Sequence, residues 1–202
     1  MTTLYLLALL PPEPVFSQAW ALKQEVHALT GSRNAVRLPP HITLLPPLRQ
    51  SDEFEARAES ALTAFAATQA PFAVGLDGFA WFGSRTLFAR VSEAAAVQAF
   101  HAALTAWCSA RLPEVPRENR PFTPHLTLAT RDLPAAQVPM LRQLFARREF
   151  RATFDVAHIT LFRHNGRQWQ ARATFPLGNP PAEAAGPALV WPTGGSGPNL
   201  PA

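Results

Sequence analysis

The sequence predicts an α+β domain made of two similar lobes. It is a bilobal, pseudo-twofold arrangement of antiparallel-rich sheets around a central cleft, with helices on the outside. Three observations point there. First, the order strand, helix, strand occurs twice. A run near Thr3 leads through a helical segment to a strand opening at His41, and a run near Thr86 leads through another to a strand opening at His125, with offsets of 38 and 39 residues. Second, segments of helical period alternate with short extended runs. Third, 48% of the 202 residues are hydrophobic and only 16% are charged, which supplies a real core and excludes disorder throughout.

The elements follow from local pattern. Val15, Ala19, Leu22, Val26 and Leu29 recur every three or four residues and Gly31 stops the run, so a helix is expected there. A second helix follows the cap candidate Ser51 with Phe54, Ala58, Ala61, Leu62 and Phe65 on one side. A third carries Val97, Phe100, Leu104 and Trp107, and a fourth Val138, Leu141, Leu144 and Phe145. Strands are expected over 3–10, 41–45, 72–82, 86–91, 125–130, 150–156, 158–163 and 168–175. After each histidine strand come another helix and a strand pair, with Asp77 and Phe82 resembling Asp155 and Phe162.

The domain is expected to end near Leu177. Residues 178–202 hold six Pro, five Gly and one charge, Glu183, too little to offset the entropy of ordering by burial, so a flexible tail is expected. The apolar start, Leu4 to Leu10, has no basic region before it and is too short to span a membrane; it reads as a buried strand. The single Cys108 excludes an internal disulfide framework and a Cys-rich zinc site, and it suits a reducing, cytoplasmic setting. No oligomer signature is visible, and a monomer is expected.

The residues that carry chemistry are Pro40-His41-Ile42-Thr43-Leu44 and Pro124-His125-Leu126-Thr127-Leu128. On a strand, residues i and i+2 share a face. His41 and Thr43 therefore point one way while Ile42 and Leu44 anchor the strand to the core, and His125 and Thr127 repeat the pattern. A pseudo-twofold turns both polar pairs to one cleft. Two imidazoles there suit phosphodiester chemistry, because one can be neutral and the other protonated near neutral pH. One takes a proton from water, the other gives one to the leaving oxygen, and the threonine hydroxyls donate to the non-bridging oxygens. Two histidines fall short of the three or four ligands zinc takes, so neither metal nor cofactor is expected. A third copy, His158-Ile159-Thr160-Leu161, lacks the preceding proline and a symmetry partner, and it reads as a structural strand.

These motifs resemble the 2H phosphoesterase superfamily, and within it the bacterial 2'-5' RNA ligase family (LigT-like RNA 2',3'-cyclic phosphodiesterases). The stretch Arg120-Pro-Phe-Thr-Pro-His-Leu-Thr-Leu-Ala-Thr-Arg131 is especially similar to the family's second motif. The resemblance implies a bilobal fold, metal-independent hydrolysis of RNA 2',3'-cyclic phosphate ends, and reversible 2'-5' joining of RNA ends in several members. It places the catalytic set at His41, Thr43, His125 and Thr127. Relatives often carry arginine directly after Leu-Ala, where this chain has Thr130 and then Arg131. The partner implied is RNA with a 2',3'-cyclic phosphate. Two alternatives are a 2H enzyme acting on another nucleotide cyclic phosphate or a 3' oligouridine tail, and an RNA-binding module without turnover.

Four further residues are substrate-binding candidates. Arg120 and Arg131 flank the second motif and suit a phosphate oxygen; the plainer alternative is a solvated surface role. Tyr5 and Phe82 suit base stacking; the plainer alternative is core packing. Arg163 and His164 could rim the cleft or simply precede a turn. Cys108 is expected to pack. The basic residues are 17 Arg and the single Lys23, for a net charge of +4. Residues 1–110 are net −1 (7 basic, 8 acidic) and residues 111–177 net +6 (11 basic, 5 acidic). The expectation is an RNA backbone running towards the second lobe, with affinity that falls with salt.

Overall fold

The structure, a computed structural model, describes residues 2–117 and 119–178. Beyond Gly178, the expected tail lies outside the described residues. The elements in order are β1 (Thr2–Leu9), α1 (Val15–Thr30), α2 (Arg33–Val36), β2 (Ile42–Ser51), α3 (Asp52–Ala67), β3 (Phe72–Phe82), β4 (Thr86–Val91), α4 (Ala94–Arg111), β5 (His125–Thr130), α5 (Val138–Ala146), β6 (Arg151–Val156), β7 (His158–His164) and β8 (Trp169–Pro176). The strands form one antiparallel sheet in the order β6-β3-β4-β5-β2-β1-β7-β8. Its centre is the β5–β2 junction, and the two histidine strands lie on either side of it.

The order is symmetric about that centre, but the lobes are not sequence halves. β3 follows the first histidine strand, yet it pairs with β4 in the second lobe; β7 pairs with β1 in the first. The counterpart of β3 is therefore β7, not β6. Asp155, matched to Asp77 by sequence, lies on β6 and pairs across to Ala73 of β3.

One face of the sheet and all five helices share the main core. Leu7, Leu9, Ile42, Leu44, Leu87, Leu126, Leu128, Ile159 and Leu161 meet Ala19, Phe54, Phe65, Leu104 and Phe145 there. Burying such side chains stabilises the fold by about 1.5–3 kcal/mol each relative to exposure. The opposite face carries a smaller cluster of Leu6, Ala8 and Phe162, flanked by Leu10, Leu38 and Trp169.

Three local expectations change. The buried stripe of α1 keeps the expected Val15, Ala19 and Val26 but takes Lys23 and Thr30 where Leu22 and Leu29 were expected; Leu22 is partly buried and Leu29 is exposed. β2 runs on through Pro46-Pro47, because β5 pairs with it only at Ile42 and the prolines fall at a register shift against β1. Ser51 does precede α3, but its side chain makes no capping bond; three carboxylates, Asp52, Glu53 and Glu55, complement the helix N-terminus instead. At the end of the described fold, Leu177 is buried and the Gly178 amide donates to Ala66 O at 3.0 Å.

Candidate active site

β2 and β5 are joined by the single antiparallel pair Ile42–Leu126. Extending that register by one residue either way sets His41 opposite Thr127 and Thr43 opposite His125. Ile42 and Leu126 point into the core, so both His-Thr pairs emerge on the face without helices. The alternation of apolar and polar residues in each motif thus brings four side chains from positions 84 residues apart to one place.

The two imidazoles are held alike. His41 Nδ1 lies 2.7 Å from Pro39 O and His125 Nδ1 lies 2.7 Å from Thr123 O. A carbonyl only accepts, so each Nδ1 carries the hydrogen, and Nε2 is left to take or give a proton. The proline before each histidine fixes the extended turn that returns the ring to its own backbone. The surroundings differ. His41 is 6% exposed, and burial, with Lys23 as the next cause, pushes its pKa down to about 4. His125 is half-buried, and burial lowers its pKa too.

Sequence reasoning passed over Lys23. It is 1% exposed, its pKa is lowered to about 7 by burial, and Nζ donates to Thr127 O at 3.0 Å. From α1, beneath the sheet, it reaches the strand carbonyl just where β2 and β5 stop pairing. The signal was present: Lys23 is the only lysine in the chain and falls at i+4 from Ala19 and i−3 from Val26 on a buried stripe.

His41 also gives a stability prediction. The unfolded imidazole protonates near pH 6.5 and the folded one near pH 4, so the unfolded state binds the extra proton between these values. Stability contributed by His41 is complete above about pH 6.5 and is lost as pH falls towards 4, by about 3 kcal/mol in all. Denaturant titrations across that range should show this slope in the wild type and a shallower one in His41→Gln.

Of the other candidates, Phe82 is 41% exposed, stacks on Phe88 at 4.3 Å and meets the His125 ring edge-on at 4.8 Å. It joins the motif face. Tyr5 does not: it is fully buried on the core face of β1, and its hydroxyl donates to Glu55 Oε2 at 3.1 Å. Strand parity decides this, since Leu4, Leu6 and Ala8 take the motif face and Tyr5, Leu7 and Leu9 the other. Base stacking by Tyr5 is therefore ruled out. Arg120 lies apart as well, lining a cavity of about 560 Å³ with His101, Cys108, Arg117 and Phe122 and with none of the four motif residues. β5 ends at Thr130, whose hydroxyl meets that of Thr86 at 2.7 Å. Arg131 follows with φ 66° and is exposed. Its turn is fixed by Asp132, whose carboxylate accepts from Ser32 Oγ at 2.5 Å and the Asn34 amide at 3.0 Å.

Thr160 of the third His-x-Thr is buried, and it pairs across to Ala8 two strands from Thr43. Arg163 points to the core side and pairs with Asp52 and Glu55 of α3, whereas His164 stays on the motif face with its ring edge-on to Trp169. Cys108 is buried, and burial raises its pKa to about 11, so it stays a thiol.

Comparison with known proteins now decides the family. The model of the 2'-5' RNA ligase superfamily matches residues 11–168, a span that includes both motifs. The chain belongs to that superfamily. Its fold is similar to the crystal structure of TT0787 of Thermus thermophilus (TM-score 0.64, 23% identity, 86% of this chain and 97% of that one). It is also similar to E. coli LigT complexed with 3'-AMP (TM-score 0.60, 18% identity, 88% and 99%) and to Usb1 of Kluyveromyces marxianus (TM-score 0.51, 16% identity, 86% and 98%). No curated protein matches. Membership of the 2'-5' RNA ligase superfamily, which is one of phosphoesterase and ligase enzymes, supports phosphoesterase or ligase-like chemistry. Among the described residues no helix is long and apolar enough to cross a membrane.

Proposed function

We propose that this protein hydrolyses the 2',3'-cyclic phosphate ends of RNA, with His41, Thr43, His125 and Thr127 as the catalytic set. The observation that carries the reading is the matched pair of imidazoles, each with Nδ1–H tied to a carbonyl two residues back and Nε2 left over, set crosswise to two threonines. His41, buried and with the nearby Lys23 charge opposing its protonation, is the neutral base that takes a proton from water. His125, less buried, is the acid that protonates the departing ribose oxygen. The oxygen of that water forms the new bond to phosphorus, the bond to one ribose oxygen breaks, and a monoester remains. Thr43 and Thr127 donate to the non-bridging oxygens, where negative charge grows. Arg131, held in a turn at the end of β5, is the proposed cation for the phosphate, and Phe82 the platform for the terminal base. With an RNA 5'-hydroxyl attacking the cyclic phosphate in place of water, and the bond from phosphorus to the 3'-oxygen breaking, the same groups support 2'-5' joining.

The scheme takes its acid and its base from imidazole, so excess EDTA should leave activity unchanged. A substrate panel tests the reading: RNA ending in a 2',3'-cyclic phosphate, a 3',5'-cyclic nucleotide and a 3' oligouridine tail. The expected result is conversion of the first to a single monoester. Turnover confined to the second or third, or RNA binding with no product from any, would replace this reading by the corresponding alternative.

Lys23 acts here as a positioning residue. The Lys23 charge, across the sheet from His41, opposes its protonation, so removing it should let His41 protonate at higher pH. Lys23→Met is expected to shift the acidic limb of the kcat/KM profile upward. A lower melting temperature with an unmoved limb would leave Lys23 a purely structural anchor of Thr127.

A further inference from the structure

The pseudo-twofold is broken next to the two histidines, and the break is one of charge. β4 pairs with β5 so that Arg90 stands across from His125 and Phe88 across from Thr127. Cross-strand partners share a face, with Cβ atoms about 5 Å apart, so Arg90 emerges on the motif face one strand out from His125. The counterpart beside His41, one residue beyond the Leu9–Ile42 pair, is Leu10, which packs on the apolar cluster of Leu6, Ala8 and Phe162. One lobe thus offers a guanidinium where the other offers a leucine.

The guanidinium is held in a defined place. Arg90 Nε donates to Asp77 O at 2.9 Å, which lays the side chain over β3 at Gly78. A Cβ at Gly78 would sit 3.2 Å from Arg90 Nη2, and Gly78 has φ 65°, so glycine at this point both suits the backbone and leaves the room. The Asp77 carboxylate is engaged by Arg151 at 3.2 Å, and among the described residues Arg90 makes no ion pair. Arg90 is exposed. A cation positioned by a backbone carbonyl keeps its charge and its Nη donors available, and a planar fork of donors matches a phosphodiester.

We propose that Arg90 binds the phosphodiester immediately 5' of the terminal nucleotide, so that the enzyme selects an oligonucleotide end over a free nucleotide. This rests on the cyclic-phosphate reading above and adds the direction of the strand to it. With the cyclic phosphate at His125 and the terminal base against Phe82, the next phosphate along the chain meets Arg90 on the neighbouring strand. The first lobe carries Leu10 at the matching place beside His41, so the RNA runs out over β4 and β3.

The test compares kcat/KM for a mononucleoside 2',3'-cyclic phosphate and for a dinucleotide ending in a 2',3'-cyclic phosphate. The wild type should prefer the dinucleotide, and the preference should weaken with salt at a slope near that of one single-strand phosphate contact, about −0.7 on logarithmic axes. Arg90→Ala should reduce the dinucleotide-to-mononucleotide ratio about tenfold, the scale of one charge-assisted hydrogen bond, and Arg90→Lys should recover part of it. An unchanged ratio in Arg90→Ala, or equal rates on both substrates in the wild type, would overturn the assignment of Arg90 while leaving cyclic-phosphate hydrolysis in place. Hydrolysis of neither substrate by the wild type would overturn both.

Discussion

His41→Ala and His125→Ala should each lower kcat/KM on an RNA 2',3'-cyclic phosphate by about 10²–10⁴, the usual contribution of a positioned acid or base. The two losses should not add. Water attack and leaving-group protonation belong to one transition state, so the double variant should fall little below the worse single one. The pH profiles separate the roles. Without His41 the acidic limb should disappear, and without His125 the basic limb should. The two variants also differ in their effect on the fold. His125 is half-buried, its Nδ1 bonds to Thr123 O within its own segment and its ring packs on Phe82 and Phe88, so its removal should lower melting less than removal of His41. His41 is buried, and alanine there opens a cavity and strips Pro39 O of its donor. His41→Gln, which keeps volume and a donor but not the base, covers that case. Normal melting with lost activity in His41→Gln assigns the loss to chemistry.

The second large effect is expected at the threonines. Thr43→Val and Thr127→Val keep shape and remove one hydroxyl each. If those hydroxyls meet the non-bridging oxygens as negative charge develops, each loss should cost about 10²–10³, mostly in kcat rather than KM, as for other donors to a developing oxyanion. Serine should restore most of the rate at either position. Both residues are half-buried on the motif face, with Ile42, Leu44, Leu126 and Leu128 holding the strands from behind, so valine should not disturb the core. A loss confined to KM would make the threonines ground-state binders. No loss would remove them from the site.

Much of this was legible in the sequence because it rests on parity. The alternation in His41-Ile42-Thr43-Leu44 and His125-Leu126-Thr127-Leu128 fixes which side chains face the core, and the repeat fixes that both strands do so at matching positions. Strand parity likewise explains the failure at Tyr5. It was singled out by residue type, but it belongs with Leu7 and Leu9 on the covered face. What the sequence did not disclose is long-range. β3 and β7 exchange lobes, so the charge of residues 111–177 is not the charge of one lobe. Arg163 and Arg172 sit on β7 and β8 in the first lobe, where they are bound by Asp52, Glu55 and Glu59 of α3. The located cation beside His125 is instead Arg90, from a segment whose net charge is negative. Arg120, adjacent to the second motif in sequence, is carried off by the loop that packs on α4. Lys23 was hidden for another reason: helical periodicity read Leu22 and Leu29 as the buried positions and passed over the neighbouring lysine, although its spacing from Ala19 and Val26 fits the stripe equally well.

The most direct measurement is phosphorus NMR of an RNA oligonucleotide ending in a 2',3'-cyclic phosphate, incubated in EDTA with the wild type, His41→Gln and His125→Ala. The prediction is that the cyclic resonance gives way to one monoester resonance with the wild type and persists with either variant. A cyclic phosphate that survives the wild type, or one that both variants open at the wild-type rate, would contradict the assignment of the two facing His-x-Thr strands as one catalytic site.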